Sequence, residues 1–395
     1  MPLTLLFDLD DTLLDTNMDA FIPAYFQALT QVFEPRILPT VVLHALIQGT
    51  SQMNENLDPT CTLQKVFETT FYNELGSPKS EWIEVLEKFY DEVFPSLRVH
   101  TRQRIEAVPL MEWAFSQGHR IAIATDPLFP RKATYERLRW AGFDPAQFEL
   151  ISTFDNFHFT KTHSAYYAEV LGQLGWPDGP VLMVGNDVQR DLVSANKLGL
   201  KTYFIDNESG SGPGFEAGHG RLSDLRPWLE SIDLTTLMPS YTSREADLGI
   251  MLSTPAVLQS LSLSLSEKDW RHEPTRNDWA MNEIVCHLRD TEREIHAVQL
   301  NLMLERPDAF IPRPDTSVWA SEREYLNIDG VAALAEFASA RLAIVDILKK
   351  LDDATWARKA RHAIFGPTDF LEVLGFMANH DQMHIQQAWK TLRNL

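Results

Sequence analysis

Two cysteines, Cys61 and Cys286, are all that the 395 residues contain, so neither a disulfide framework nor a thiolate metal cage is available. Positive charge is scarce too. Against 55 Asp and Glu stand 35 Lys and Arg, and the formal net charge of −20 repels phosphate backbones and anionic membranes. The sequence therefore excludes nucleic acid and membrane as main partners, and a small anionic ligand would need a local positive site. The N-terminus lacks a basic segment followed by a long apolar stretch, so no signal peptide is read there and a reducing cytoplasm is expected. Residues 248–266 carry no charge over a length that could span a bilayer. Their Ser, Thr, Gln and Pro content suits a buried amphipathic helix instead. No internal repeat or low-complexity tract is present.

What is there is a globular composition, 44% apolar, over a length that suggests two or three domains. In the first half, short apolar runs recur at 3–9, 120–125, 149–153, 181–184 and 201–205, with helical patterns between them. Such alternation predicts right-handed βαβ crossovers and a Rossmann-like parallel sheet whose ligands lie at the carboxyl ends of the strands. An insertion over about 15–100 has helical periodicity and many aromatics (Phe21, Tyr25, Phe26, Phe67, Phe71, Tyr72, Trp82, Phe89, Tyr90). It reads as an α-helical cap whose aromatics mainly form its core. Residues 207–220, rich in Gly and Ser, read as a loop, and one more helix over 224–231 completes a first domain, 1–235. After a linker at 236–243 containing Pro239, the region 244–395 shows four stretches of helical period, 244–266, 278–305, 330–351 and 368–392. These predict an all-α four-helix bundle with a long crossover at 306–327.

The residues just after the predicted strands carry the chemistry. Leu5-Leu6-Phe7-Asp8-Leu9-Asp10 brings two carboxylates, two residues apart, to one side of a strand end. Their repulsion is relieved by a divalent cation or by a raised pKa, leaving one as nucleophile and the other as proton donor. Thr125 follows the second strand and can donate to an anionic oxygen. Lys161 follows the third and can hold a nucleophilic Asp ionised. After the fourth, Gly185-Asn186-Asp187-Val188-Gln189-Arg190-Asp191 offers Asp187 and Asp191 at i, i+4 to complete an oxygen cage for Mg²⁺.

This ordered set resembles the haloacid dehalogenase superfamily with a C1-type cap, over about residues 1–235. The resemblance implies that Asp8 is the nucleophile forming an aspartyl-phosphate and that Asp10 is the general acid and then base. It further implies that Thr125 orients the phosphoryl group, that Lys161 neutralises charge, and that Asp8, the Asp10 carbonyl and Asp187 or Asp191 hold Mg²⁺. A carboxylate at the second position marks the phosphatases of that superfamily, whereas its dehalogenases lack it. Three positions depart from the pattern: Asp126 where Asn is frequent, Thr162 where Pro is usual, and Asn186 inside the last motif.

In the last predicted helix, His380 and His384 stand at i, i+4, and His287 lies in the second, where a bundle could bring it opposite. Three neutral imidazoles leave coordination positions open and suit Zn²⁺, Ni²⁺ or Fe²⁺. The pairing of Trp279-x-x-x-Glu283-Ile284-x-x-His287-Leu288-x-Asp290-x-Glu292 with His380-Asp381-x-x-His384-x-x-Gln387 is similar to the DinB/YfiT-like metal-binding bundles over about residues 244–395. That resemblance implies His287, His380 and His384 as metal ligands. His272, His296 and His362 fall outside the motif and read as surface or core residues. The expected whole is a Mg²⁺-dependent phosphatase of a small phosphorylated metabolite, fused to a divalent-metal bundle. Two alternatives are a metal- and thiol-dependent transferase in the bundle with an auxiliary first domain, and a bundle that serves only to form a homodimer.

Overall fold

The computed structural model describes residues 2–206, 210, 212–275 and 278–395. The chain divides into two compact units. One comprises the residues up to Leu57 with Cys61–Tyr167 and Pro177–Ser240, and the other Asp58–Thr60, Ala168–Trp176 and Tyr241–Leu395.

The first unit is built on a six-stranded sheet. Its strands are β1 (Thr4–Phe7), β4 (Arg120–Ile123), β5 (Leu150–Ile151), β6 (Val181–Gly185), β7 (Lys201–Ile205) and β8 (Gly218–Gly220). All pair in parallel, in the order β5-β4-β1-β6-β7-β8. Strand β1 is central and buried along its whole length, which is why it reads as an unbroken apolar run rather than an alternating one. The edge strand β8 corrects the sequence reading, which took Gly218 and Gly220 as loop: only three residues pair, too few to leave a periodic signal. The rest of that loop reading falls partly on residues 207–209 and 211, outside the described residues.

Between β1 and β4 the chain forms a two-stranded antiparallel ribbon, β2 (Leu14–Thr16) with β3 (Thr101–Gln103), where it leaves for the cap and returns from it. The cap contains the helices Met18–Gln31, Pro39–Glu55, Leu63–Leu75 and Ile83–Lys88. Asn17 and Thr62 cap the first and third of these through their side chains, which fixes where each starts. Phe21, Tyr25, Phe71, Trp82 and Phe89 enter one continuous core with the sheet.

The second unit is helical, with its long helices at Arg244–Ser262, Met281–Thr291, Gly330–Leu348 and Phe370–Leu392. Ser243, Asp329 and Asp369 cap the first, third and fourth. The second continues through a π-helical turn, Glu292–His296, into Ala297–Glu305. The uncharged stretch near 250 is buried inside the bundle, and among the described residues no helix is long and apolar enough to cross a membrane. A small sheet, β9 (Ala309–Ile311), β10 (Lys359–His362) and β11 (Gly366–Asp369), interrupts the helical pattern that the sequence suggested.

Candidate active site and metal centre

Strand β1 ends at Phe7, and the next residue, Asp8, is only 7% exposed. Its carboxylate Oδ1 accepts from Lys161 Nζ at 2.5 Å, and the same ammonium lies 2.7 Å from Asp191 Oδ1. The second Asp191 oxygen accepts from the backbone N–H groups of Asn186 and Asp187, at 3.0 Å each. Asp191 reaches this place because residue 185 is glycine: a Cβ there would stand 2.2 Å from Asp191 Oδ2. Burial and the Asp8 charge push the Asp191 pKa up against the pull of Lys161. Burial works against the Lys161 ammonium, but Asp191 and Asp8 outweigh it and hold the lysine charged.

Thr125 is buried directly behind β4, its carbonyl accepting from Ser152 Oγ at 2.6 Å and Tyr166 OH at 2.8 Å. Those two hydroxyls fix the strand tip. Asp126, at the position of the first departure, accepts from the Lys161 N–H and from Arg190. Burial pushes its pKa up.

The structure does not bring all the expected carboxylates together. Asp187 is the N-cap of the turn Val188–Val193, in extended backbone, and its Oδ1 accepts from the N–H groups of Gln189 and Arg190. Because the cap residue is not itself helical, the i, i+4 pairing of Asp187 with Asp191 does not place them on one face. Asn186 instead turns toward the first motif, its Oδ1 accepting from Thr12 Oγ1 at 3.1 Å. Asp10 accepts from Thr16 Oγ1 at 2.8 Å and pairs with the guanidinium of Arg137. The oxygens of Asp8, Asp10, Asp191 and Asn186 are hard donors of the kind Mg²⁺ takes.

Arg137 went unnoticed in the sequence because it sits in a strongly polar helix, Arg131–Trp140, where one basic residue looks like another. It is 1% exposed, and its guanidinium lies 4.8 Å from the Phe129 ring centroid. Burial lowers its pKa to about 10, which still leaves it charged at neutral pH.

In the bundle, His287 Nε2 stands 3.1 Å from His380 Nε2, and His384 Nε2 stands 3.2 Å from the same atom. All three donor atoms lie within 4.8 Å of one another. The His380–His384 spacing puts both on one helix face, and Trp279 flanks the cluster, its ring stacked on His384. Gln387 Oε1 lies 2.9 Å from His384 Nδ1, which leaves Nε2 as the coordinating nitrogen. Burial, with the charges of His384 and His296, pushes the His287 pKa down to about 3. Burial likewise lowers His380 and His384. Three neutral imidazoles converging by Nε2 fit a divalent transition metal.

Behind the cluster lies a charge network that the sequence reading missed. Arg341, fully buried, binds Glu292 through Nε and Nη2 at 2.6 and 2.8 Å and also binds Asp381. Thr254 Oγ1 donates to Asp381 at 2.8 Å, and His296 Nδ1 lies 2.9 Å from Glu292. Burial works against the Glu292 carboxylate, but Arg341 and His296 outweigh it and pull the pKa down to about 2. His296 is thus neither a loose surface residue nor an apolar core one. Its ring centroid lies 5.5 Å from that of His380.

Known proteins match in two parts. The DinB superfamily matches residues 252–388, and the haloacid dehalogenase-like hydrolases match residues 5–205. No curated protein matched. Among solved structures, a phosphatase of the latter family from Thermococcus onnurineus is 18% identical, with 58% of this chain and 98% of that chain covered at a TM-score of 0.40. The hydrolase YfnB from Bacillus subtilis, solved with magnesium, is 20% identical over 57% of this chain and 98% of its own, at 0.38. YfiT from Bacillus subtilis, described as a probable metal-dependent hydrolase with an unusual four-helix bundle topology, is 19% identical over 40% of this chain and 91% of its own, at 0.36. With residues 5–205 matched, half of its length, the chain belongs to the haloacid dehalogenase-like hydrolases, and it carries a DinB-superfamily domain behind that part.

Proposed function

We propose that the first unit is a Mg²⁺-dependent phosphatase of a small phosphorylated metabolite and works through an aspartyl-phosphate on Asp8. The observation that carries this reading is the buried chain of contacts Asp8–Lys161–Asp191 at the carboxyl end of the central strand. An ammonium bonded to Asp8 orients the attacking oxygen and offsets the charge of an incoming phosphate. Thr125, pinned at the tip of β4, offers a hydroxyl to a phosphoryl oxygen. Asp10, held by Arg137 and Thr16, would give a proton to the leaving oxygen as Asp8 attacks and then take one from the water that cleaves the phospho-enzyme. Asp8, the Asp10 carbonyl, Asp191 and Asn186 would hold Mg²⁺, which when bound supplies charge neutralisation at the phosphoryl oxygens. Carbon–halogen cleavage needs no acid at position 10, so the presence of Asp10 favours phosphoryl transfer.

The test is turnover of p-nitrophenyl phosphate with and without Mg²⁺ in wild type, Asp8→Asn and His380→Ala. Loss in the first variant and retention in the second supports the reading. Activity that persists in Asp8→Asn and disappears in His380→Ala would move the chemistry to the bundle. That second reading, a metal- and thiol-dependent transferase at His287, His380 and His384, is favoured by the convergence of the three Nε2 atoms. On either reading the bundle holds one Zn²⁺, Ni²⁺ or Fe²⁺.

A further inference from the structure

His287 and His296 stand nine residues apart on one continuous run of helix, and an unbroken α-helix, turning about 100° per residue, would set them on opposite faces. The helix is not unbroken. It passes through the π-helical turn Glu292–His296, which takes in one extra residue and gives back about 100° of that rotation. His296 therefore comes round to the histidine cluster, where its ring stands at 85° to that of His380.

The ring is held there from behind. Its Nδ1 lies 2.9 Å from Glu292 Oε2, and Glu292 is itself clamped by Arg341, whose guanidinium also donates to the Met251 carbonyl at 2.7 Å and binds Asp381, the residue next to His380. One arginine thus reaches the three other long helices at the level of the cluster. Glu292 is an ionised carboxylate and can only accept, so the ring hydrogen lies on Nδ1, and in the neutral imidazole Nε2 carries the lone pair. That Nε2 has no hydrogen-bond partner among the described residues. The other three imidazoles lack such support: Gln387 faces Nδ1 of His384, and Nδ1 of His287 and of His380 is buried without a partner.

The charge network does not require an imidazole at this place. Glu292 is bonded through both oxygens to Arg341, and Asp381 takes Arg341 and Thr254. Nor is His296 one of the converging donors, since the nitrogens that lie within 4.8 Å of one another are those of His287, His380 and His384. A carboxylate-oriented imidazole beside a three-imidazole donor set, but outside it, is placed to bond a molecule on the ion rather than the ion itself. Its bare nitrogen is an acceptor, so that molecule must bring a hydrogen. Water does, and a thiolate does not.

We infer that His296 is a positioning residue of the bundle's metal centre, and that its Nε2 accepts a hydrogen bond from a water, rather than facing a thiolate, at the position the three imidazoles leave open. This rests on the reading of His287, His380 and His384 as the metal ligands.

The experiment loads the full chain with Co²⁺, in wild type and His296→Phe, and measures bound cobalt and the affinity for azide, followed by the visible cobalt spectrum. Azide displaces a bound water and has no hydrogen to give to Nε2. The variant leaves Glu292 both of its contacts to Arg341. Expected are equal cobalt contents and azide bound about tenfold more tightly by His296→Phe, the fold-change equivalent of one hydrogen bond that wild type forfeits when water leaves. Loss of cobalt from the variant alone would make His296 a ligand and overturn the inference, as would azide affinity that is unchanged or weaker in the variant. If His296→Phe does not fold, the crystal structure of cobalt-loaded wild type decides. An oxygen on the ion within about 3.2 Å of His296 Nε2 upholds the inference, and its absence overturns it. A wild type that takes up no cobalt brings down the three-ligand reading and the inference with it, whereas cobalt retained with identical azide binding brings down the inference alone.

Discussion

Asp191 holds Lys161 by a 2.7 Å contact between Oδ1 and Nζ, and the same ammonium reaches Asp8 across 153 residues of sequence. Two buried carboxylates thus share one cation, and the backbone N–H groups of Asn186 and Asp187 supply the rest of the compensation on the Asp191 side.

Removing that cation leaves two like charges facing each other out of water. Lys161→Met should therefore lower stability by about 3–5 kcal/mol, the usual penalty for orphaning a buried charge. Adding Asp191→Asn should recover a large part of it. Urea unfolding of the two variants checks this, and an additive, unrelieved loss in the double variant would show that the three groups are not coupled.

The glycine at 185 makes a steric prediction. A methyl group there meets the Asp191 carboxylate, so Gly185→Ala should displace Asp191 and reduce phosphatase activity by about 100-fold or more while leaving bundle metal content unchanged. Metal analysis on the same sample separates the two effects.

His287, His380 and His384 bind protons weakly, and a metal held by them competes with few protons. With His287 near 3, the protein should keep one transition metal per chain through dialysis at about pH 5.5, where ordinary imidazoles are protonated. His384→Ala should lose it. In the metal-free protein the depressed values make the unfolded chain the better proton binder. Stability should then decline as pH falls from about 6.5 toward 3, by about 1.4 kcal/mol per pH unit for each such imidazole. Elemental analysis across pH and acid unfolding of the metal-free form check both statements.

Asp247 gives the opposite sign. It is buried in the first bundle helix, its Oδ1 has no hydrogen-bond partner among the described residues, and burial raises its pKa from 3.8 to about 7. The folded state holds this proton more tightly than the unfolded one, so stability should fall as pH rises through the range from about 4 to 7 and level off above it. Asp247→Asn should flatten that slope, by about 1–3 kcal/mol in total once partial solvation is allowed for. Thermal melts of the two proteins across that range check it.

The first motif was legible because chemistry that needs strand ends leaves short acidic or hydroxyl signals after apolar runs. Asp8, Thr125 and Lys161 stand where β1 and β4 end and where the chain after β5 turns back. The bundle was legible through its period, and His380 and His384 through their i, i+4 spacing. Arg137 and Arg341 were not. A buried charge is recognisable only through its partner, and these partners lie far apart in sequence: Arg137 is 127 residues from Asp10, and Arg341 is 49 from Glu292. The strands β2, β3 and β8 were missed because three residues carry no measurable period.

Acid quench of the enzyme during turnover of p-nitrophenyl phosphate with Mg²⁺, followed by peptide mapping, tests the central claim most directly. The account predicts a phosphoryl group on the peptide that contains Asp8, absent from Asp8→Asn and undiminished in His380→Ala. A chain that turns over the ester with no phosphoryl group on that peptide, and at the same rate in Asp8→Asn, would contradict it.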